Sequence, residues 1–175
     1  ALGSEVCRLL EDEEFQPVKG PLRIALDEVD LPLEAKPTVE ELVAMKESGG
    51  NDARKAERLS RMMEEDSEWK SHYRTPIAVW QFGEDLTLVR LSGEVVSDYI
   101  PLLERALGPL GLWVLAYCSD YFGYVPSARV HREGGYEARD VISGHGALAQ
   151  GVEQVIVEKV IQLAKQAGRK MPQAS

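Results

Sequence analysis

Apolar residues recur along this chain with two different periods, and the switches between them mark out the elements. Leu2, Val6, Leu9 and Leu10 stand at helical spacing ahead of an acidic run, which predicts a short helix over residues 2–14. From Pro21 to Leu33 the series Leu22, Ile24, Leu26, then Val29, Leu31, Leu33 has period two on both sides of one slip, the pattern of a long strand with a bulge. Thr38 followed by Glu41 forms a capping box that opens a helix near 39–48, and Gly49-Gly50 stops it. Residues 51–68 are polar almost all round. With Asn51 or Asp52 as N-cap and only Ala56, Leu59, Met62 and Met63 as a stripe, they read as a surface helix.

The second half has a different rhythm. Residues 75–82 and 86–91 are short apolar runs on either side of Gly83-Glu84-Asp85, as in a β-hairpin with a three-residue loop. Val95, Val96, Tyr99, Ile100, Leu102, Leu103 and Leu107 fall on a helical period over 95–107, and Gly108 and Gly111 release the chain into 112–117, an apolar run expected of a buried strand. Residues 118–146 show no period and read as a long functional loop or a set of short turns. A last helix is expected over 149–167, capped by Gly168. Strand, turn, helix, strand implies an α/β fold, a mixed sheet with flanking helices. Residues 1–168 read as a single α/β domain and 169–175 as a polar tail.

Composition narrows the function classes. At 175 residues, with 44% hydrophobic and 28% charged side chains, the chain is about one globular domain and not a disordered one. The net charge is -9, and residues 1–70 hold 18 acidic against 10 basic side chains. A nucleic-acid face needs clustered cations, so nucleic acid is a poor partner, and an anionic membrane surface fares little better. No apolar run reaches 18 residues, so no transmembrane segment is expected. The chain starts at Ala1 with no basic flank and apolar stretch, so no signal peptide is read, and it looks like a processed or excised piece. Cys7 and Cys118 form no CxxC pair and read as two inert thiols, with no disulfide indicated.

Familiar catalytic motifs are missing. His72, His131 and His145 have no HxxxH or HxH spacing and read as surface or loop residues, so no self-contained metal centre can be deduced. There is no GxSxG elbow, Walker loop or GxGxxG after a strand. What stands out is Leu91-Ser92-Gly93-Glu94, a carboxylate where an apolar run ends, and the Tyr-rich stretch from Tyr117 through Tyr124 to Gly134-Gly135-Tyr136-Glu137. Both would lie outside the carboxyl ends of strands, where open α/β sheets gather their ligands. The structural alternative is equally plain: Glu94 as a favourable anion in the first turn of a helix, and the tyrosines as half-buried packing.

Those same residues resemble a known family. Pro76 to Gly83, Leu86 to Glu94, Val114 to Ser127 and Glu133 to Glu137, over about residues 74–137, are similar to the neutral/alkaline non-lysosomal ceramidases, and more narrowly to the bacterial ceramidase-like proteins. The resemblance implies a fragment, the C-terminal portion of a larger α/β catalytic domain, whose N-terminal part is the partner. It implies Zn2+ held by two histidines from the earlier part together with Glu94 and Tyr124, and an active-site tyrosine at Tyr136. It implies hydrolysis of an N-acyl lipid, a sphingoid amide, to fatty acid and sphingoid base, in a secreted or periplasmic protein. The family's usual Pro-Gly-Glu is Ser92-Gly93-Glu94 here, and its loop Asn is replaced around Ser119-Asp120. No matching histidine pair precedes Glu94, so this piece alone is expected to be inactive, and the rival reading is a non-catalytic binding or scaffold module without metal.

Overall fold

The computed structural model describes residues 2–11, 15–65, 68–142 and 145–172. The elements are α1 (Leu2–Glu11), β1 (Leu22–Pro32), α2 (Val39–Ser48), α3 (Gly50–Glu64), β2 (His72–Phe82), β3 (Leu86–Arg90), β4 (Glu94–Val95), α4 (Tyr99–Leu107), β5 (Leu112–Leu115), β6 (Tyr124–Val125), α5 (Ala128–Glu133) and α6 (Val152–Ala167), with a 3-10 turn at Glu137–Arg139. The predicted helical continuation over 12–14, two positions of the 51–68 helix and the end of the tail lie outside the described residues.

Four strands form one sheet in the order β1-β2-β3-β5. The first two pairings are antiparallel and β3–β5 is parallel, so the sheet is mixed as expected. The reason lies in the connections. Gly83-Glu84-Asp85 returns β2 directly onto β3, whereas β3 reaches β5 only through the crossover helix α4. β1 carries no bulge: its register with β2 runs unbroken from Leu22↔Phe82 to Pro32↔His72. Val29 and Leu31 face the helices and are buried, while Leu22, Ile24 and Leu26 point the other way and stay exposed. The slip in the sequence therefore marks a change of face.

Helices cover one side of the sheet. α6 lies across β1 and β2, and α4 packs on α6 and β5. Their apolar residues Tyr99, Leu103, Leu107, Val152, Ile156, Val160 and Leu163 meet Val29, Leu31, Ile77, Val79 and Val89 from the strands in one continuous core. Gly168 ends α6 in a left-handed conformation, its N–H bonding back to the carbonyls of Ala164 and Lys165. Arg169, at the start of the expected tail, instead turns inward and donates to the carbonyls of Leu107, Gly108 and Leu110. Burial lowers its pKa.

A second, smaller core joins α2 and α3 to the segment after the 3-10 turn: Leu42, Ala56, Leu59 and Met62 with Val141 and Ala147. Thr38 and Glu41 form the expected capping box on α2. α3 is more than a surface helix, since its narrow stripe is sufficient to bury Ala56, Leu59 and Met62. It begins at Gly50, with Gly49 at the N-cap making no side-chain bond, so neither Asn51 nor Asp52 caps it. Both cysteines are free thiols. No helix among the described residues is long and apolar enough to cross a membrane.

Candidate active site

The site begins where β3 ends. The expected helix over 95–107 starts only at Tyr99, because Glu94–Val95 instead pairs in parallel with Tyr124–Val125. Val95 and Val96 suited either state, β-branched residues being at home in strands; the partner strand decided between them. Glu94 is therefore not a first-turn anion. In that small two-stranded ladder Glu94 stands directly opposite Tyr124, so both side chains leave the same face.

Backbone bonds lock the two segments together. Gly93 N–H donates to the Asp120 carbonyl at 2.8 Å, Glu94 N–H to Gly123 at 2.8 Å, and Tyr117 and Cys118 N–H to Gly93 and Leu91 at 2.9 and 3.0 Å. The buried Ser92 hydroxyl reaches the carbonyls of both Pro76 and Cys118 at 2.9 Å, tying β2 to the loop. Gly93 has φ +71°, and an added Cβ would sit 2.9 Å from Phe122 Cζ and from Val125 Cγ2. Only glycine fits between the two strands there.

Two carboxylates support the tyrosine loop from beneath. Asp120 Oδ2 accepts from the hydroxyls of Tyr73 at 2.7 Å and Thr75 at 3.3 Å, so the loop is hydrogen-bonded to β2. Burial, with that hydrogen bond next, pushes the Tyr73 pKa up to about 12. Asp140 Oδ2 accepts the Tyr124 N–H at 3.0 Å while its Oδ1 pairs with Arg58 at 2.6 Å, linking the site to α3. At the rim Asp98 takes the Ser127 hydroxyl and the Arg129 guanidinium, which also reaches Glu133.

Tyr124 has its pKa raised by desolvation and by the facing Glu94 carboxylate, so its hydroxyl is neutral at ordinary pH. Tyr136 sets its ring edge-on against that of Tyr124, with centroids 5.4 Å apart. A third phenol lay at the head of the stretch the sequence singled out but was given no role there. Tyr117 has φ +57°, a left-handed conformation uncommon for a bulky residue, and stacks on Tyr121 at 5.7 Å. Its hydrogen bond to Glu94 pushes its pKa up to about 12. Placed at the end of an apolar run, it read as part of a strand; no spacing rule signals a left-handed turn there. Asp140 was missed, being one carboxylate in a stretch without period.

The structure thus brings Glu94, Tyr124 and Tyr136 together. An open cleft of about 460 Å³ runs beside them, lined by Glu94, Ser97, Tyr124, Glu133 and Glu137, and Tyr136 borders a neighbouring cleft with Arg58 and Arg139. Among the described residues no group of three or more His, Cys, Asp or Glu is arranged to hold a metal. His145 lies edge-on against Tyr73 at 5.0 Å, and the half-buried His131 on α5 keeps its Nε2 without a hydrogen-bond partner, so the latter is not the surface residue expected.

In class this is an α/β fold with its polar groups gathered beyond the ends of β3 and β5. The particular likeness is to part of the neutral ceramidase from Pseudomonas aeruginosa, whose crystal structure matches 94% of this chain with a TM-score of 0.54 at 16% identity. The chain spans 31% of that protein's length, so it has the fold of a fragment of a larger unit. A structure of a ceramidase complexed with C2 matches 58% of this chain and 16% of that one, with a TM-score of 0.41 and 14% identity. No protein-family model and no curated protein matches the chain.

Proposed function

We propose that this chain is the C-terminal part of the catalytic domain of a zinc-dependent amide hydrolase of the neutral ceramidase type. The observation that carries the reading is the register of Glu94 against Tyr124, which aims a carboxylate and a phenol from separate segments at one cleft. The shared fold supports it. Two oxygen donors on one face fit half of a zinc shell, and Zn2+ sites use three protein ligands plus water or four ligands. The other half is assigned to two histidines of the N-terminal part, which is why the chain alone is inactive.

Zn2+, when bound there, supplies Lewis acidity toward the acyl carbonyl and activation of water for amide hydrolysis. Glu94 contributes negative charge and, through Tyr117, a fixed carboxylate orientation. Tyr124 contributes an oxygen held in place by the Asp140 bond to its own backbone. Tyr136, half-exposed beside it, would donate a hydrogen bond to the oxyanion that develops on the acyl carbonyl oxygen. The substrate is an N-acyl sphingoid lipid and the products are fatty acid and sphingoid base, a choice that rests on the likeness rather than on a residue of the cleft.

The test uses the natural polypeptide that contains this chain, with zinc content and fatty-acid release measured separately. Glu94→Gln and Tyr124→Phe are expected to lower zinc content. Tyr136→Phe should keep the metal and lose about 10²–10³ in turnover, the usual effect of removing one oxyanion donor. Zinc content and turnover unchanged in Glu94→Gln would sink the reading in favour of a non-catalytic module.

A further inference from the structure

The sheet has a second face against which no helix of the described residues packs an apolar stripe. Reading outward positions across the register, Leu22, Ile24 and Leu26 of β1 lie beside Phe82, Trp80 and Ala78 of β2, and these beside Leu86, Leu88 and Arg90 of β3. Trp113 and Leu115 of β5 complete the rows. None of these residues belongs to either core cluster; Ala78 is small and buried, the rest of β2 and β3 in these rows and Leu115 are half-buried, and the edge residues are exposed. Ile24 is 55% exposed, Leu26 62% and Trp113 61%. The one charge among them, Arg90, lies over the Trp80 ring at 4.7 Å from its centroid.

We infer that this outer face is the seat of another apolar layer of the same folded unit, contributed by polypeptide outside these 175 residues. The inference rests on the reading that the chain is part of a larger catalytic fold. Three observations commit it to that occupant. Strands apolar on both faces are strands covered on both faces, and β2 and β3 show that pattern over 77–82 and 86–89. A patch of aromatic and branched aliphatic side chains almost free of charge has the composition of a core cut in half, rather than of a transient partner surface. Finally, 69% of the solved protein that shares this fold lies beyond the matched part, enough chain to supply a further layer.

The test follows Trp113. With Trp69 and Trp80 changed to Phe, its fluorescence is the sole tryptophan signal, and acrylamide quenching is compared between the isolated chain and the natural polypeptide that contains it. Quenching is expected to fall several-fold in the longer protein. Equal quenching in the two would overturn the inference, as would shielding in the isolated chain that grows with its concentration, since the occupant is then a second copy. Circular dichroism checks that the isolated chain is folded. Should it be unfolded, the longer protein decides alone: Trp113→Lys should lower its melting temperature and Leu110→Lys, an exposed apolar site outside the patch, should not. Equal effects of the two would overturn the inference. None of these readings involves zinc or turnover, so failure here is distinguishable from failure of the proposed chemistry.

Discussion

The two faces of one sheet have had opposite fates in this chain. On the inner face Val79 and Val89 meet α4 and α6 and are wholly buried; on the outer face Trp80 and Leu88, their immediate neighbours in sequence, join neither core cluster of the described residues and are only partly buried. The apolar content of the two sides is similar. The difference teaches that hydrophobicity in a strand does not by itself say which side is packed: among the described residues the helices cover one side of this sheet.

The sharpest way to break that comparison is to truncate one residue on each side. Leu103→Ala, under the inner face, leaves a cavity among well-packed neighbours and is expected to cost about 2–5 kcal/mol in urea unfolding of the chain. Trp113→Ala on the outer face should change the same measurement by no more than about 0.5 kcal/mol. Comparable losses would show that the outer face is already packed.

A second change separates the site from both faces. Gly123 has φ +128°, and an added Cβ would fall 2.2 Å from Asp140 Oδ2. Gly123→Ala should therefore displace the carboxylate that holds the Tyr124 N–H, at a cost of about 1–3 kcal/mol. Thermal unfolding and the Tyr124 amide signal in NMR would report it; an unshifted amide would remove Asp140 from the account of the site.

The smallest effect sharpens the rim. The Arg129 guanidinium, with the Ser127 hydroxyl second, holds the Asp98 carboxyl below its ordinary pKa. A carboxyl lowered on folding adds stability above its unfolded pKa near 3.9 and loses it as pH falls through the folded value. Asp98→Asn should thus lower the unfolding free energy at pH 7, by about 0.5 kcal/mol for a pair this accessible, and make no difference in strong acid. A deficit independent of pH would assign Asp98 a packing role only.

Much of the fold was legible from local pattern. The capping box at Thr38, the hairpin around Gly83-Glu84-Asp85 and the Gly168 cap rest on residues within one turn of each other, where steric and hydrogen-bonding rules act without outside help. Where the reading went astray, a distant segment had intervened. Val95 and Val96 satisfied a helical period and were claimed by β6, some thirty residues on. The slip in β1 looked like a bulge because two apolar faces, taken one after the other, imitate a change of register. The stripe of α3 looked too narrow for a core, yet Leu42, Val141 and Ala147 arrive from elsewhere to bury it.

The candidate site divides in the same way. Glu94, Tyr124 and Tyr136 were given roles through the family resemblance, whereas Tyr117, though inside the same stretch, and Asp140 were not, since their roles depend on a left-handed turn and on a hydrogen bond across sixteen residues. By itself the sequence determined the long elements, β1 to β3, α2, α3 and α6, and most of their ends, but not β4, β6 or α5 in the stretches it read as helix or loop. Only the tertiary structure decided which side of the sheet the helices cover and that Glu94 stands opposite Tyr124. Periodicity and capping are energies of neighbours along the chain; pairing and covering are energies of neighbours in space, and one string of residues does not say which segments will meet.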